Sequence, residues 1–154
     1  MKKTYRVLAF LIAVEVVVQA AAIAFAVFGL SKWIEDGHQV NKAILESNDT
    51  KFTGVIGFTI HGINGQLLIP LLGLILLIIS FFAKVPGGSK WAGIIFGLIA
   101  VQVVLGFTAH AAPALGPLHG INALAIFSVA YLAGKRVGTT PVAASVTAGD
   151  RADV

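Results

Sequence analysis

The sequence predicts an all-α protein: a polytopic membrane four-helix bundle built from a duplicated helix hairpin, with N and C termini in the cytoplasm. Three observations carry this expectation. The 154-residue chain is 57% apolar and 12% charged, with mean hydropathy +0.91, whereas a soluble domain carries about 25% charged residues. It contains four runs of the length that crosses a bilayer, about 20 apolar residues each. Two of those runs open with almost the same pentapeptide.

The first span covers about residues 7–30, behind Lys2, Lys3 and Arg6. Lys-Lys before an apolar run also resembles a secretory leader, but Glu15 and Gln19 interrupt what would be its apolar stretch, so the segment reads as a retained span. Residues 31–53 are polar, with Ile34, Val40, Ile44 and Leu45 spaced for a short amphipathic element on the membrane surface. The Asn48-Asp49-Thr50 sequon in this stretch has meaning only in a secreting eukaryote. The second span, about 54–83, is long for one crossing, so its start tilts or lies in the interface. Pro70 is expected to kink it. Val85-Pro86-Gly87-Gly88-Ser89 turns the chain into the third span, about 91–109, and Ala111 to Gly116 leads to the fourth, about 117–134. The bundle domain thus covers residues 1–136. The tail, 137–154, is Thr/Ala/Val/Gly-rich without periodicity and reads as disordered.

Charge sets the direction. Of the 11 Lys and Arg, Lys2, Lys3, Arg6, Lys84, Lys90, Lys135, Arg136 and Arg151 fall on one side of the four spans. Lys32, Lys42 and Lys51 fall on the other, opposed by Glu35, Asp36, Glu46 and Asp49. The positive-inside rule makes the first side cytoplasmic. The formal charge of +4 is therefore a topology signal, and no basic face for nucleic acid is expected. The bilayer is the expected environment, in a bacterial plasma membrane. Trp33 and Trp91 lie near opposite interfaces, where tryptophan anchors.

The duplication is visible in both helices of each hairpin. Leu11-Ile12-Ala13-Val14-Glu15-Val16-Val17-Val18-Gln19 aligns with Leu98-Ile99-Ala100-Val101-Gln102-Val103-Val104-Leu105-Gly106, and His61-Gly62-Ile63-Asn64-Gly65 with His119-Gly120-Ile121-Asn122-Ala123. Both copies start inside and run out and back, so their relating axis lies along the membrane normal.

That axis brings His61 and His119 to one depth, facing each other, the arrangement of the two axial ligands of a b-type haem. Gly57 and Gly65, four residues either side of His61, and Ala123, four after His119, leave room for a flat macrocycle. Asn64 and Asn122 could orient a ring or hold a propionate. With no cysteine in the chain, the haem b would be non-covalent, one per chain, and Cys-based zinc, iron–sulfur and thiolate chemistry is excluded. The competing reading is that each histidine caps its helix or bonds across the bundle. Two histidines without a nearby carboxylate make a poor zinc set.

Gln102-Val103-Val104-Leu105-Gly106-Phe107-Thr108, a short loop and Leu118-His119 resemble the haem A synthase family. Members consist of two four-helix halves, each with haem-ligating histidines on its second and fourth helices. Residues 7–134 resemble one such half, and the 58-residue spacing from His61 to His119 accords with that layout. The resemblance implies that these two are axial ligands. Departures limit what it carries. The catalytic half of the family has Glu three residues before its second-helix histidine, where this chain has Phe58, and the outer-loop cysteines of many members are absent. The resemblance therefore implies the haem-binding fold without hydroxylation of the haem.

Among the other polar residues, Glu15 reads either as a proton relay or quinone contact, or as a protonated acid hydrogen-bonded to Gln102. Gln19 extends the same face. His38 and His110 read as solvated, with a propionate contact open to His110. The function expected is electron transfer or haem handling, by a carrier or accessory protein rather than a self-contained enzyme. A membrane redox partner, a quinone, or a second copy of the chain would be its partners. The alternative class is a cofactor-free accessory subunit of a larger membrane complex; a transporter using Glu15 would need oligomerisation.

Overall fold

The computed structural model describes residues 1–46 and 52–138, and four of its helices are long and apolar enough to cross a membrane. The first is α1 (Lys2–Glu35), followed by the short α2 (Lys42–Glu46). The second long helix joins α3 (Ile56–Ile63), a π-helical segment (Asn64–Leu68) and α4 (Ile69–Ser80). The third is α5 (Gly88–Ala111); a 3₁₀ turn at Pro113–Leu115 leads into the fourth, α6 (Gly116–Lys135). The 25 residues of the second long helix rise about 37 Å, enough for a hydrocarbon layer of about 30 Å. No strand occurs among the described residues.

The first, third and fourth long helices outrun their apolar stretches, while the second, at residues 56–80, stops short of the expected 54–83. α1 begins at Lys2 and ends at Glu35 because backbone hydrogen bonding continues past the apolar run at both ends; its C-terminal end carries the Lys32–Asp36 ion pair. Of the amphipathic element expected within residues 31–53, only the five-residue α2 is formed among the described residues. The sequon and residues 139–154, most of the tail expected to be disordered, lie outside them.

The kink expected at Pro70 takes the form of a widened turn. Pro70 has no N–H, and its ring would meet the Gln66 carbonyl in a regular helix. The turn before it opens to π geometry, with the Ile69 N–H donating to the Asn64 carbonyl. A row of residues four apart drifts about 40° per step around an α-helix. The wider turn takes back part of that drift, so that Gly57, His61, Gly65 and Ile69 all stay at least half-buried.

The long helices pack in chain order around a ring: α1 on α3 and α4, α4 on α5, α5 on α6, and α6 back on α1. The second and fourth helices are therefore diagonal. The two ends of the bundle differ. Toward the basic end, Tyr5, Ala9, Ile12 and Ala13 of α1 form one apolar core with Ile69, Leu72 and Leu76 of α4, Ile95 and Ile99 of α5, and Ile126 and Ala130 of α6. Tyr5 Oη donates to the Gly88 carbonyl at 3.1 Å, closing that end. Arg6 stands over Phe10, Lys135 over Tyr131, and Arg136 over Trp91 at 4.5 Å.

Toward the loop end, α1 and α3 meet backbone to backbone. A Cβ on Gly57 would overlap the Ala22 carbonyl oxygen, and one on Gly29 the Thr53 carbonyl oxygen. Small residues at a helix seam permit this approach. Above it, Trp33 stacks on His38 at 3.8 Å and meets Phe52, which packs edge-on against Phe58. The two tryptophans thus lie at opposite ends.

Candidate functional site

A polar layer sits directly above the apolar core, supplied by all four long helices. His61 ends the apolar stretch of α3, and His119 lies in the first turn of α6, placed there by the Pro117 that starts the helix. Although their helices are diagonal, the two imidazoles reach each other: the ring centroids are 6.1 Å apart with planes inclined by 56°.

His61 Nδ1 lies 3.2 Å from the backbone carbonyl of Gln19. A carbonyl only accepts, so Nδ1 carries the proton and Nε2 keeps its lone pair. An N–H held on a backbone carbonyl is the support that orients a metal-binding imidazole. His119 Nδ1 is buried without a hydrogen-bond partner, and so is Gln19 Nε2. Gly106, at the repeat position of Gln19, lies against the His119 ring: a Cβ there would stand 3.3 Å from Cε1. Its carbonyl receives His110 Nδ1 at 2.8 Å. His110 is thus exposed but tied to its own helix, and His38, also exposed, is stacked on Trp33 and bonded to that residue's carbonyl.

One turn nearer the core, the two hairpins repeat a second contact. Asn64 Nδ2 donates to Glu15 Oε2 at 3.4 Å, and Asn122 Nδ2 donates to Gln102 Oε1 at 2.7 Å and to the Leu98 carbonyl at 2.9 Å. The expected Glu15–Gln102 pair does not form. Those residues come from diagonal helices, and each finds the asparagine of its own hairpin instead. The asparagines accordingly serve the helix seams, with no side-chain contact to either histidine.

The small residues divide. Gly57 is taken up by the α1 seam, where it permits the contact with Ala22, so it does not supply room for a macrocycle. Gly65 faces Gln19, a Cβ there lying 3.3 Å from Oε1. Ala123 is half-buried in α6. A Cβ on Gly62 or Gly120, the residue after each histidine, would meet nothing within 4 Å, and Gly120 is exposed on the outer surface of α6. Gly106 is the site residue that the reading of the sequence did not single out, whereas Gln19, read as extending the polar face of Glu15, supplies its backbone carbonyl to His61. The signal for Gly106 was present: it stands one helical turn beyond Gln102, as Gln19 does beyond Glu15, on the face turned to that hairpin's histidine.

The arrangement has the length of a bis-imidazole metal site. Two nitrogen–metal bonds of about 2.0 Å and two ring radii of about 1.1 Å, from bonds near 1.33 Å, sum to roughly 6.2 Å between centroids. Among the described residues no three His, Cys, Asp or Glu side chains gather into a metal-ion cluster, so the protein side of any metal site here is the histidine pair alone. Comparison with family models, with curated proteins and with solved structures finds no match.

Proposed function

We propose that this is an integral-membrane b-type haem protein, holding one haem non-covalently between His61 and His119 for one-electron transfer or haem handling. The observation that carries the reading is the 6.1 Å approach of two imidazoles from equivalent positions of a repeat, across a diagonal of the bundle. The buried, unpartnered His119 Nδ1 and Gln19 Nε2 beside them support it, because such atoms are costly unless a missing partner satisfies them. The resemblance of residues 7–134 to one half of a haem A synthase points the same way.

With both axial positions taken by protein, the haem would supply outer-sphere electron transfer. The chain's own residues set the conditions for it. Gln19 fixes the tautomer of His61 through its carbonyl, Gly106 gives the His119 ring its space, and the apolar core keeps water from below. The excess of Lys and Arg at the end holding Lys2 and Lys135 directs that end to the cytoplasm and the histidine layer to the outer half of the bilayer. Bacterial plasma membrane is the setting this topology fits.

Absorption spectra of the protein purified in detergent, oxidised and dithionite-reduced, test the reading. A Soret band that disappears or shifts in His61→Ala and in His119→Ala, and persists in His38→Ala, is the expected result. Absence of the band after expression with ample haem overturns it and leaves a cofactor-free subunit of a larger complex.

A further inference from the structure

Glu15 has no part in holding the histidines, yet it is the only charged side chain on α1 between Arg6 and Lys32. It lies one turn below Gln19, whose carbonyl holds His61, and its hydrogen-bond partner is the Asn64 amide. An amide can donate to a carboxylate or, turned over, accept from a carboxylic acid, so Asn64 serves both protonation states. The repeat supplies a neutral counterpart in Gln102–Asn122. We infer that Glu15 is a redox-linked proton site: when the histidine-bound centre of the preceding section gains an electron, Glu15 gains a proton.

The inference rests on the haem reading. Glu15 lies one helical turn, about 6 Å along the axis, below the Gln19 whose carbonyl holds His61, so a charge gained by a centre bound there would act on the carboxylate through an interior that screens weakly. Neutralising the carboxylate offsets the electron. One electron from an external one-electron donor is matched by one proton from hydronium; the bond formed is O–H on Glu15, the bond broken is O–H of hydronium, and water is released. The titratable side chains on the helices packed against α1 are His61 on α3 and His119, Tyr131 and Lys135 on α6, while His110 and Lys90 lie on the diagonal α5. Below Glu15 lie Ile12, Leu76, Ile95 and Ile126, all fully buried, so the proton is exchanged through the polar layer toward the loop end.

The test is the haem midpoint potential of the purified holoprotein as a function of pH. The wild-type potential should fall as pH rises, with a slope approaching about 59 mV per unit for one proton per electron. Glu15→Gln, which copies the Gln102–Asn122 pair, should flatten it; adding Gln102→Glu to that variant should restore it; His110→Ala should leave the slope unchanged. Redox-difference infrared spectra should show a carboxyl band in the wild type that Glu15→Gln lacks. A slope retained in Glu15→Gln, or a wild-type potential independent of pH, overturns this inference while the Soret band stands. Loss of the Soret band in the wild type overturns the haem reading itself.

Discussion

Gly57→Ala isolates a close backbone contact between α1 and α3. The added methyl overlaps the Ala22 carbonyl oxygen and lies 3.1 Å from the Ala26 Cβ. Carbon and oxygen in such contacts ordinarily stay 3.3–3.6 Å apart, so α1 and α3 must separate by about an ångström. Overpacking of this kind costs about 1–3 kcal/mol, and the better helix propensity of alanine offsets about 1 kcal/mol of it. A net loss of up to about 2 kcal/mol is expected, and a loss of about 1–3 kcal/mol relative to a glycine-to-alanine change that meets no clash. The separation also strains the 3.2 Å link from His61 to the Gln19 carbonyl, one turn along the same seam. Gly93→Ala is the matched control: it lies in α5, is exposed, and a Cβ there meets nothing within 4 Å. It should be neutral or stabilising by up to about 1 kcal/mol. Unfolding in mixed micelles, followed by far-ultraviolet circular dichroism, reads both. A Gly57→Ala variant as stable as Gly93→Ala would refute the close-contact argument.

Further outcomes follow from the same geometry. Leu76→Ala removes a fully buried side chain from the core and should cost about 2 kcal/mol, the low end for such truncations, because lipid is as apolar as the cavity it leaves; the same micelle titration measures it. Gly106→Leu places bulk against the His119 ring and should shift or abolish the Soret band while helix content stays unchanged by circular dichroism. Because the chain has no cysteine, single substitutions report sidedness cleanly. In intact cells, an impermeant thiol reagent should label Gly37→Cys and spare Ser89→Cys, and the reverse pattern would overturn the orientation proposed from Lys and Arg.

Much of the architecture was legible in the residues. Four apolar runs marked the four long helices, and the repeated His-Gly-Ile-Asn led to two rings that do meet. Rotation about each helix axis was not legible. A helix whose outer face meets lipid is apolar on all sides, so no polar stripe tells which neighbour a residue faces. That is why Glu15 was matched with Gln102 across a diagonal, although each bonds to the asparagine beside it. The same ambiguity put Gly57 beside the ligand space when it belongs to the α1 seam. Helix ends were misplaced for a different reason: apolar runs stop at the first charge, whereas hydrogen bonding carries α1 on to Glu35. The π segment needed knowledge of how the chain relieves Pro70, which composition does not record.

The division between an apolar half and a polar layer has an electrical consequence. Nine residues separate Arg6 from Glu15, about 14 Å of helix rise, nearly half of a hydrocarbon thickness of about 30 Å. Over that distance the bundle interior is filled with Ile, Leu and Ala, a dielectric with no charge to share the field. A unit charge crossing a whole membrane at 100 mV changes energy by about 2.3 kcal/mol. A charge moved between the polar layer and the basic end therefore feels about 1 kcal/mol of that difference. Set in an energised membrane, the packing of Ile12, Leu76, Ile95 and Ile126 would make the proton uptake inferred for Glu15 depend on voltage as well as on pH.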